Sequence, residues 1–290
     1  MIEDIINSQN SYDKEAYKQK KKEQLDFAYK TIDESVNKIK TDSSFFMQYL
    51  DVQSKFDVYT SRNALLIASQ LPNAMQLKDY KSWKELNASF KVKYPKRIII
   101  LEPGKQYITK DGKTVSNINA KEVIDISETN QKLNTKSIDK KLILQALLHE
   151  CPVEIKAKDS LESGNVCEWN IDDKVIYVAK SDDYDLTISS IANEIVKINL
   201  YDDIQEFDED KSKCIGYMLC KKYGIDVSLN SVENMIDRFK DMETKDVLNE
   251  LTSMKEVYSD INSRVGQYID DKRKEVKNKE QERWYSERWY

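Results

Sequence analysis

Residues 191–197 read Ile-Ala-Asn-Glu-Ile-Val-Lys, and they are the most informative segment of this chain for its fold. They lie within a longer run, at about 184–201, which predicts an amphipathic helix. Three polar residues stand close together on that helix, namely Asn193, Glu194 and Lys197. Any chemistry of this helix therefore depends on one amide, one carboxylate and one ammonium.

The metal-binding helix of a zinc peptidase needs other side chains at these positions. It carries two His residues one turn apart, and a Glu beside the first His acts as the general base. Here Glu194 is retained, whereas Asn193 and Lys197 stand at the two His positions. A Lys ammonium has no lone pair to donate and repels Zn²⁺, and the chain has 1 His, His149, so no His pair can form. We therefore expect a degenerate site with no catalytic residue, no metal and no cofactor.

The composition is typical of a globular protein with much surface helix. Hydrophobic residues make up 40% of the 290 residues and charged residues 33%, and the 6 Gly and 4 Pro leave few places where a helix is broken. No apolar run is long enough to span a bilayer, and residues 1–12 are too polar for a signal peptide. We therefore expect a cytoplasmic protein without a membrane partner. The 4 Cys follow no metal-ligand spacing, which favours reduced thiols.

Charge is unevenly distributed along the chain. The net charge is −5, but residues 1–140 carry 24 Lys and Arg against 19 Asp and Glu. The remaining residues therefore carry the negative excess. Such an asymmetry favours two parts with different partners, the basic part suiting a polyanion. Two ordinary solvated surfaces would give the same pattern, so both interpretations stay open.

The first half of the chain predicts helices followed by a small antiparallel sheet. Helical spacing is found at 13–40, 44–70 and 79–90. Strands are predicted by an Ile-rich run at 97–101, by a hairpin turn at Asp111-Gly112 and by a run at 123–126. Residues 128–138 are polar and are expected to form a linker, close to the point where the charge balance changes sign.

A second region of helices and strands is predicted after that linker. Its helices are expected at 139–150, 184–201 and 211–224, and its short strands at 153–157, 166–169 and 175–178. Gly224 is placed to end the last of these helices. The predicted fold class is therefore α+β and helix-rich. Its three predicted domains are 1–130, 138–228 and a helical extension at 229–290.

The helical extension carries a heptad seam and a charged tail. Apolar side chains are spaced alternately four and three apart at 247, 251, 254, 258, 261, 265 and 268. They can pack on the same chain or on a second copy, and packing on the same chain is favoured because three heptads are marginal for a free coiled coil. We expect the tail, 271–290, to be mobile. Its repeated Glu-Arg-Trp-Tyr is either a motif for a protein partner or an artefact of expression.

Residues 61–97 combine a helix, a turn, an aromatic segment and a basic loop. The helix reads Ser-Arg-Asn-Ala-Leu-Leu-Ile-Ala-Ser-Gln at 61–70, and Pro72 follows it. Tyr80 and Trp83 come next, and then the cations Lys91, Lys93, Lys96 and Arg97. In this order the segment resembles the N-terminal single-stranded-DNA-binding domain of ArdC-type antirestriction proteins and of LtrC-like proteins of mobile elements. The resemblance covers roughly 40–130.

This resemblance implies a set of nucleic-acid contacts. They are Arg62, Asn63, Gln70, Tyr80, Trp83, Lys91, Lys93, Lys96 and Arg97. Single strands bind on aromatic side chains beside a cationic groove, which suits Tyr80 and Trp83 for stacking and the cations for phosphates. The alternative places both aromatics in the core and the cations on a solvated face. The family's loop usually carries glycines, and their absence here argues against a phosphate cradle of backbone N–H groups.

Residues 140–226 resemble the C-terminal metallopeptidase-like domain of the same proteins, and also ImmA/IrrE-type peptidases. In that family a Glu on the following helix is the third metal ligand. The corresponding position here is Lys211 or Lys213, with Glu209 as the alternative if the register slips. A salt bridge between Glu194 and Lys197 is also expected, since residues three apart on a helix face each other.

The favoured function is a non-catalytic DNA-binding protein of a plasmid, phage or conjugative element. The resemblance implies antirestriction or protection of incoming DNA, with single-stranded DNA as the preferred partner and double-stranded DNA as the alternative. A protein partner could bind the acidic half, including the run at 202–210, or the tail at 271–290. Two other functions remain open, an active zinc metallopeptidase with unrecognised ligands and a protein-binding regulator that acts through the acidic domain and C-terminal helix.

Overall fold

The computed structural model describes residues 2–109, 111–133, 137–201, 208–229 and 232–288. Most of the acidic run predicted to form a loop, 202–207, lies outside the described residues, and so do the last two residues of the Glu-Arg-Trp-Tyr repeats. Within the described residues helices dominate over two small three-stranded sheets, which confirms the predicted helix-rich α+β class. No described helix is both long and apolar enough to cross a membrane.

The chain divides into two compact units. The N-terminal unit comprises Met1–Val52, Tyr59–Asn134 and Phe239–Leu248. The C-terminal unit comprises Gln53–Val58, Thr135–Arg238 and Asn249–Tyr290. The main division at Asn134 falls within the polar segment that we expected to be a linker. Residues from Asn249 onward are grouped with the C-terminal unit.

Helices form the first part of the chain. They are α1 (Ile2–Ile39), α2 (Ser43–Lys55), α3 (Ser61–Gln70) and α4 (Tyr80–Glu85), with the short strand β1 (Leu77–Lys78) before α4. The single helical run predicted at 44–70 is therefore wrong, because α2 ends at Lys55 and α3 begins anew at Ser61. The local reason is Thr60, whose side-chain oxygen accepts a hydrogen bond from the Asn63 N–H and caps the new helix.

A long hairpin completes the N-terminal sheet. Strands β2 (Ile98–Ile108) and β3 (Thr114–Asp125) pair antiparallel, and the sheet order β1-β3-β2 leaves β2 at an edge. Gly112 has a φ of +74°, which the tight turn between these strands requires. A short 3₁₀ turn, Ile126–Glu128, follows β3. Helix α3 and the middle of α1, around Lys21 and Gln24, pack on this sheet, and apolar side chains of both layers are buried.

The C-terminal unit begins with the predicted order of helix, strands and helices. Its elements are α5 (Lys140–Glu150), β4 (Glu154–Lys158), β5 (Cys167–Asn170), β6 (Val175–Ala179), α6 (Tyr184–Leu200) and α7 (Glu209–Lys222). The sheet order is β4-β6-β5, in which β4 and β6 run parallel and β5 and β6 antiparallel. Helix α6 contacts α5, α7 and β5, so its middle turns are buried.

Two further helices end the chain, α8 (Glu233–Lys240) and α9 (Thr244–Arg288). The predicted heptad seam lies on α9, and its side chains from Val247 to Val265 are buried within this single chain. This confirms packing on the same chain as the favoured use of the seam. The first part of the tail continues α9 to Arg288, and the expected mobility of the tail stays a prediction.

Candidate functional site

Glu194 lies buried on α6 and makes two polar contacts. Its side chain is 7% exposed by residue, and Oε2 accepts a hydrogen bond from the Trp169 backbone N–H of β5 at 3.1 Å. The Lys197 ammonium donates to Oε1 at 2.9 Å, which confirms the expected salt bridge. The retained Glu is therefore tied to its own helix and to the neighbouring strand.

The Lys197 ammonium also reaches a second carboxylate. Its Nζ lies 3.4 Å from Oε2 of Glu209, the first residue of α7. The ammonium is thus held between carboxylates from two helices, and the Lys197 side chain is only 16% exposed. Lys197 therefore links the carboxylate of α6 to that of α7.

The two carboxylates keep Lys197 charged. Burial by itself would lower its pKa, but the hydrogen bond and negative charge of Glu194, with a further contribution from Glu209, outweigh burial and raise the pKa above its ordinary value. A protonated amine cannot act as a metal ligand. The side chains at this site therefore do not fit the divalent metal that a zincin-type helix would hold.

The position expected for the third ligand needs a correction. Lys211 is buried, and its ammonium turns to Ser253 at 3.0 Å and to Glu250 at 3.2 Å. Lys213 pairs with Glu209 at 3.5 Å. Glu209 is therefore the residue of α7 that reaches Lys197. The sequence analysis had given Glu209 as the alternative to Lys211 and Lys213 at this position.

Asn193 contributes a buried, unpartnered oxygen. Its Oδ1 has no hydrogen-bond partner among the described residues, and a Cβ built on Gly216 of α7 would lie 3.3 Å from it. Gly216 therefore lets the two helices approach closely, a role that sequence reasoning missed. A cavity of about 470 Å³ opens beside this contact and includes Lys213. The described residues contain no group of three His, Cys, Asp or Glu that could bind a metal.

Two residues predicted to contact DNA, Asn63 and Gln70, instead form hydrogen bonds with the backbone of β2. Asn63 donates to the Leu101 carbonyl at 2.8 Å and accepts from the Leu101 N–H at 2.7 Å. Gln70 makes the same pair of bonds to Ile99, at 2.8 and 2.9 Å. These two side-chain amides therefore pair with backbone N–H and carbonyl groups at the edge of β2, as a neighbouring strand would. The expectation that they reach bases is corrected accordingly.

Trp83 is a core residue. It is 1% exposed, and its indole N–H donates to the Ile124 carbonyl at 2.9 Å. Its neighbours are Ala88, Ile124 and Ile126. No face of the ring is available for a base, so the alternative placement in the core is the one observed.

Tyr80 differs from Trp83 because it is 49% exposed. Its ring stacks on Phe90 with centroids 5.0 Å apart and planes inclined by 15°. The Lys84 ammonium lies 5.7 Å from the Tyr80 centroid. This stack fixes the orientation of Tyr80 and leaves part of the ring open to solvent beside a cation.

The predicted cations are all exposed, but they differ in their contacts. Lys96 donates from its ammonium to the Gln70 carbonyl at 3.2 Å, and Arg97 pairs with Glu122 at 2.7 Å. Arg62, Lys91 and Lys93 are exposed with no ion pair to another described residue. These three cations are therefore the ones most ready to meet an external anion.

The loop that carries these cations is fixed on the 3₁₀ turn. The Lys91 N–H donates to the Glu128 carbonyl at 2.9 Å, and the Lys96 N–H lies 3.3 Å from the Glu128 carboxylate. Between them Tyr94 is 80% exposed, with the Lys93 ammonium 5.3 Å from its ring centroid. Sequence reasoning did not select Tyr94, although an aromatic residue inside a basic loop was a usable signal.

The helices and small sheets described above form a fold that is similar to that of ArdC-type antirestriction proteins. Two crystal structures of one plasmid protein are among those that match. The Mn(II)-bound crystal structure of antirestriction ArdC from plasmid R388 matches with a TM-score of 0.52 at 11% identity, covering 83% of this chain and 97% of that chain. Its metal-free structure matches with a TM-score of 0.49 at 12% identity, covering 73% and 86%.

The similarity to these crystal structures concerns the fold alone. No family model and no curated protein sequence matches this chain. The match to the Mn(II)-bound structure confirms the expected ArdC-type fold. At 11% identity it does not carry an activity with it.

Proposed function

We propose that this chain is a non-catalytic, DNA-binding antirestriction protein of a plasmid or other mobile element, and that its N-terminal unit prefers single-stranded DNA. The observation that carries the proposal is the loop surface, which we define as Tyr80, Lys91, Lys93 and Tyr94. It presents two exposed lysines, which form no ion pair with another described residue, beside two exposed rings.

The chemistry of the loop surface suits a single strand better than a duplex. Lysine and arginine bind phosphates of either form, with a strong dependence on salt. Exposed rings add about 1–3 kcal/mol for each base that stacks on them. Bases inside a duplex are already stacked on one another, so Tyr80 and Tyr94 favour a strand whose bases are open.

The C-terminal unit has a non-catalytic role in this proposal. Without a metal, neither a lowered pKa of bound water nor a polarised carbonyl is provided, and Glu194 alone supplies neither. Lys197 forms ion pairs with the carboxylates of both Glu194 and Glu209. The unit then serves as a scaffold or as an acidic surface for a protein partner. The ArdC name of the matched structure supports an antirestriction role.

The test compares single-stranded and double-stranded oligonucleotides of one sequence at two salt concentrations by fluorescence anisotropy. Wild type should bind the single strand more tightly, and Lys91→Ala/Lys93→Ala should weaken binding and reduce the salt slope by about 1.4. Lys30→Ala is the matched control, since Lys30 is an exposed lysine that pairs with Glu34 on α1. Equal binding by the double variant and wild type would contradict the proposed surface.

A second measurement addresses the metallopeptidase alternative. Elemental analysis of the dialysed wild-type protein should find far less than one zinc or manganese per chain. Stoichiometric metal together with peptide cleavage would overturn the non-catalytic assignment.

A further inference from the structure

A groove of about 410 Å³ lies in the N-terminal unit between α1 and the start of α4. Helix α1 contributes Tyr17, Lys20 and Lys21 to its lining, and α4 contributes Tyr80 and Lys81. Arg97, at the end of the basic loop, also lines it. The groove therefore continues from the loop surface through Tyr80, and it adds residues of α1 that the sequence did not single out.

The groove is positively charged. Five cations line it against two carboxylates, Asp79 and Glu122. Glu122 already pairs with Lys20 at 3.2 Å and with Arg97 at 2.7 Å. Asp79 pairs with Lys121 at 3.0 Å and caps α4 through the Ser82 N–H at 2.7 Å. The Lys21 ammonium donates to the Ala120 carbonyl at 3.0 Å, and the Lys81 ammonium lies 3.8 Å from Glu85. With five cations against two carboxylates, the lining keeps a positive excess.

Two exposed rings stand in the same groove. Tyr17 is 63% exposed and Tyr80 is 49% exposed. The Lys21 ammonium lies 5.9 Å from the Tyr17 centroid, so each ring has a lysine nearby. Paired aromatic faces beside cations are the general arrangement by which proteins hold unpaired bases and their phosphates.

We infer that this groove between α1 and α4 holds a segment of single-stranded nucleic acid, with Tyr17 stacking on a base and Lys20, Lys21 and Lys81 contacting phosphates. The inference rests on the proposed function and extends its surface onto α1. A volume of about 410 Å³ is in the range of pockets that enclose one small ligand. It suits an unstacked nucleotide.

The test uses full-length variants that differ in whether the altered side chain lines the groove. Tyr17→Ala and Lys20→Ala alter the groove, and Tyr29→Ala and Lys22→Ala alter exposed residues of the same helix outside its lining. Affinity for a single-stranded oligonucleotide is measured by fluorescence anisotropy. We expect Tyr17→Ala to weaken binding at least about fivefold, Tyr17→Phe to retain it, and both controls to bind as wild type. Circular dichroism verifies that each variant is folded.

The outcomes separate this inference from the proposed function. If Lys91→Ala/Lys93→Ala loses affinity while Tyr17→Ala and Lys20→Ala do not, the groove assignment is overturned and the loop surface stands. If Tyr17→Ala weakens single-stranded and duplex binding equally, the stacking role is overturned. If wild type binds no oligonucleotide, the proposed function fails and the groove assignment fails with it.

Discussion

Lys197 is a largely buried cation that lies between two carboxylates of the C-terminal unit. A zincin-type helix needs side chains that donate a lone pair to the metal. The Lys197 ammonium instead forms ion pairs with Glu194 at 2.9 Å and with Glu209 at 3.4 Å. The cation beside these carboxylates is therefore a side chain of the protein, and no bound ion is needed there. Such an arrangement stabilises the folded unit without depending on metal supply.

Removing that charge should destabilise the C-terminal unit. Lys197→Met leaves Glu194 buried without its cation, and breaking a buried pair from one side costs about 3 kcal/mol. The double variant Glu194→Gln/Lys197→Met should lose less, because no uncompensated charge remains. Urea unfolding followed by circular dichroism measures both. The exposed Lys213→Met is the control, and a Lys197→Met protein as stable as wild type would rule out this role.

The same pair predicts a pH dependence at the alkaline end. Because the pKa of Lys197 is raised in the folded protein, its stabilising contribution is fully present below the unfolded pKa of about 10.4 and is lost as pH rises through the folded value. The difference in melting temperature between wild type and Lys197→Met should therefore be constant from pH 7 to 9 and shrink above pH 10.5. A difference that grows in that alkaline range would contradict the assignment.

At the scale of elements, α3 acts as a polar edge cover for the sheet. Asn63 and Gln70 are two turns apart on α3, and they pair with the backbone of Leu101 and Ile99, two residues apart on β2. An exposed strand edge is a site of unwanted pairing, and these amides close part of it. The motif that resembles a DNA-contacting helix therefore has a structural use.

Neighbouring variants on α3 should separate stability from binding. Asn63→Ala leaves the Leu101 N–H and carbonyl without their partners and should lower the free energy of unfolding by about 2 kcal/mol. Arg62→Ala, one residue earlier and exposed, should leave stability unchanged and weaken binding of single-stranded DNA. Thermal melting and fluorescence anisotropy of both variants test this contrast. The reverse pattern would return Asn63 to the binding surface.

Prediction from sequence succeeded for the elements that have a clear period and failed where one side chain decided a boundary. The three short strands and α5, α6 and α7 followed the expected order, because their apolar spacing and turn residues were local signals. The break between α2 and α3 was missed because apolar residues continue through it. Only the cap formed by Thr60 marks the start of the second helix.

At the scale of the whole molecule, the last helix belongs to the folded chain through its seam. Side chains of α9 are buried at every seam position as far as Val265 and again at Ile269, and exposure increases beyond that point. The stabilising part of α9 therefore ends near residue 270.

Truncation of the tail should accordingly leave the folded protein intact. Deleting residues 281–290 should change neither the melting temperature nor the affinity for single-stranded DNA, because the buried seam is retained. Truncation after Met254 removes Tyr258, Ile261 and Val265 and should unfold the C-terminal unit. Loss of DNA binding in the shorter deletion would assign a function to the Glu-Arg-Trp-Tyr repeats.

The sequence by itself determined the helix-rich α+β class and the ArdC-type fold, because these follow from residue types and their spacing along the chain. Only the tertiary structure decided which polar and aromatic residues remain available. Trp83, Asn63 and Gln70 carry the right chemistry for DNA, but burial and backbone hydrogen bonds already occupy them. Tyr17, Tyr94 and Glu209 gain their neighbours from chain segments distant in sequence or from a loop conformation, and no local pattern encodes such proximity.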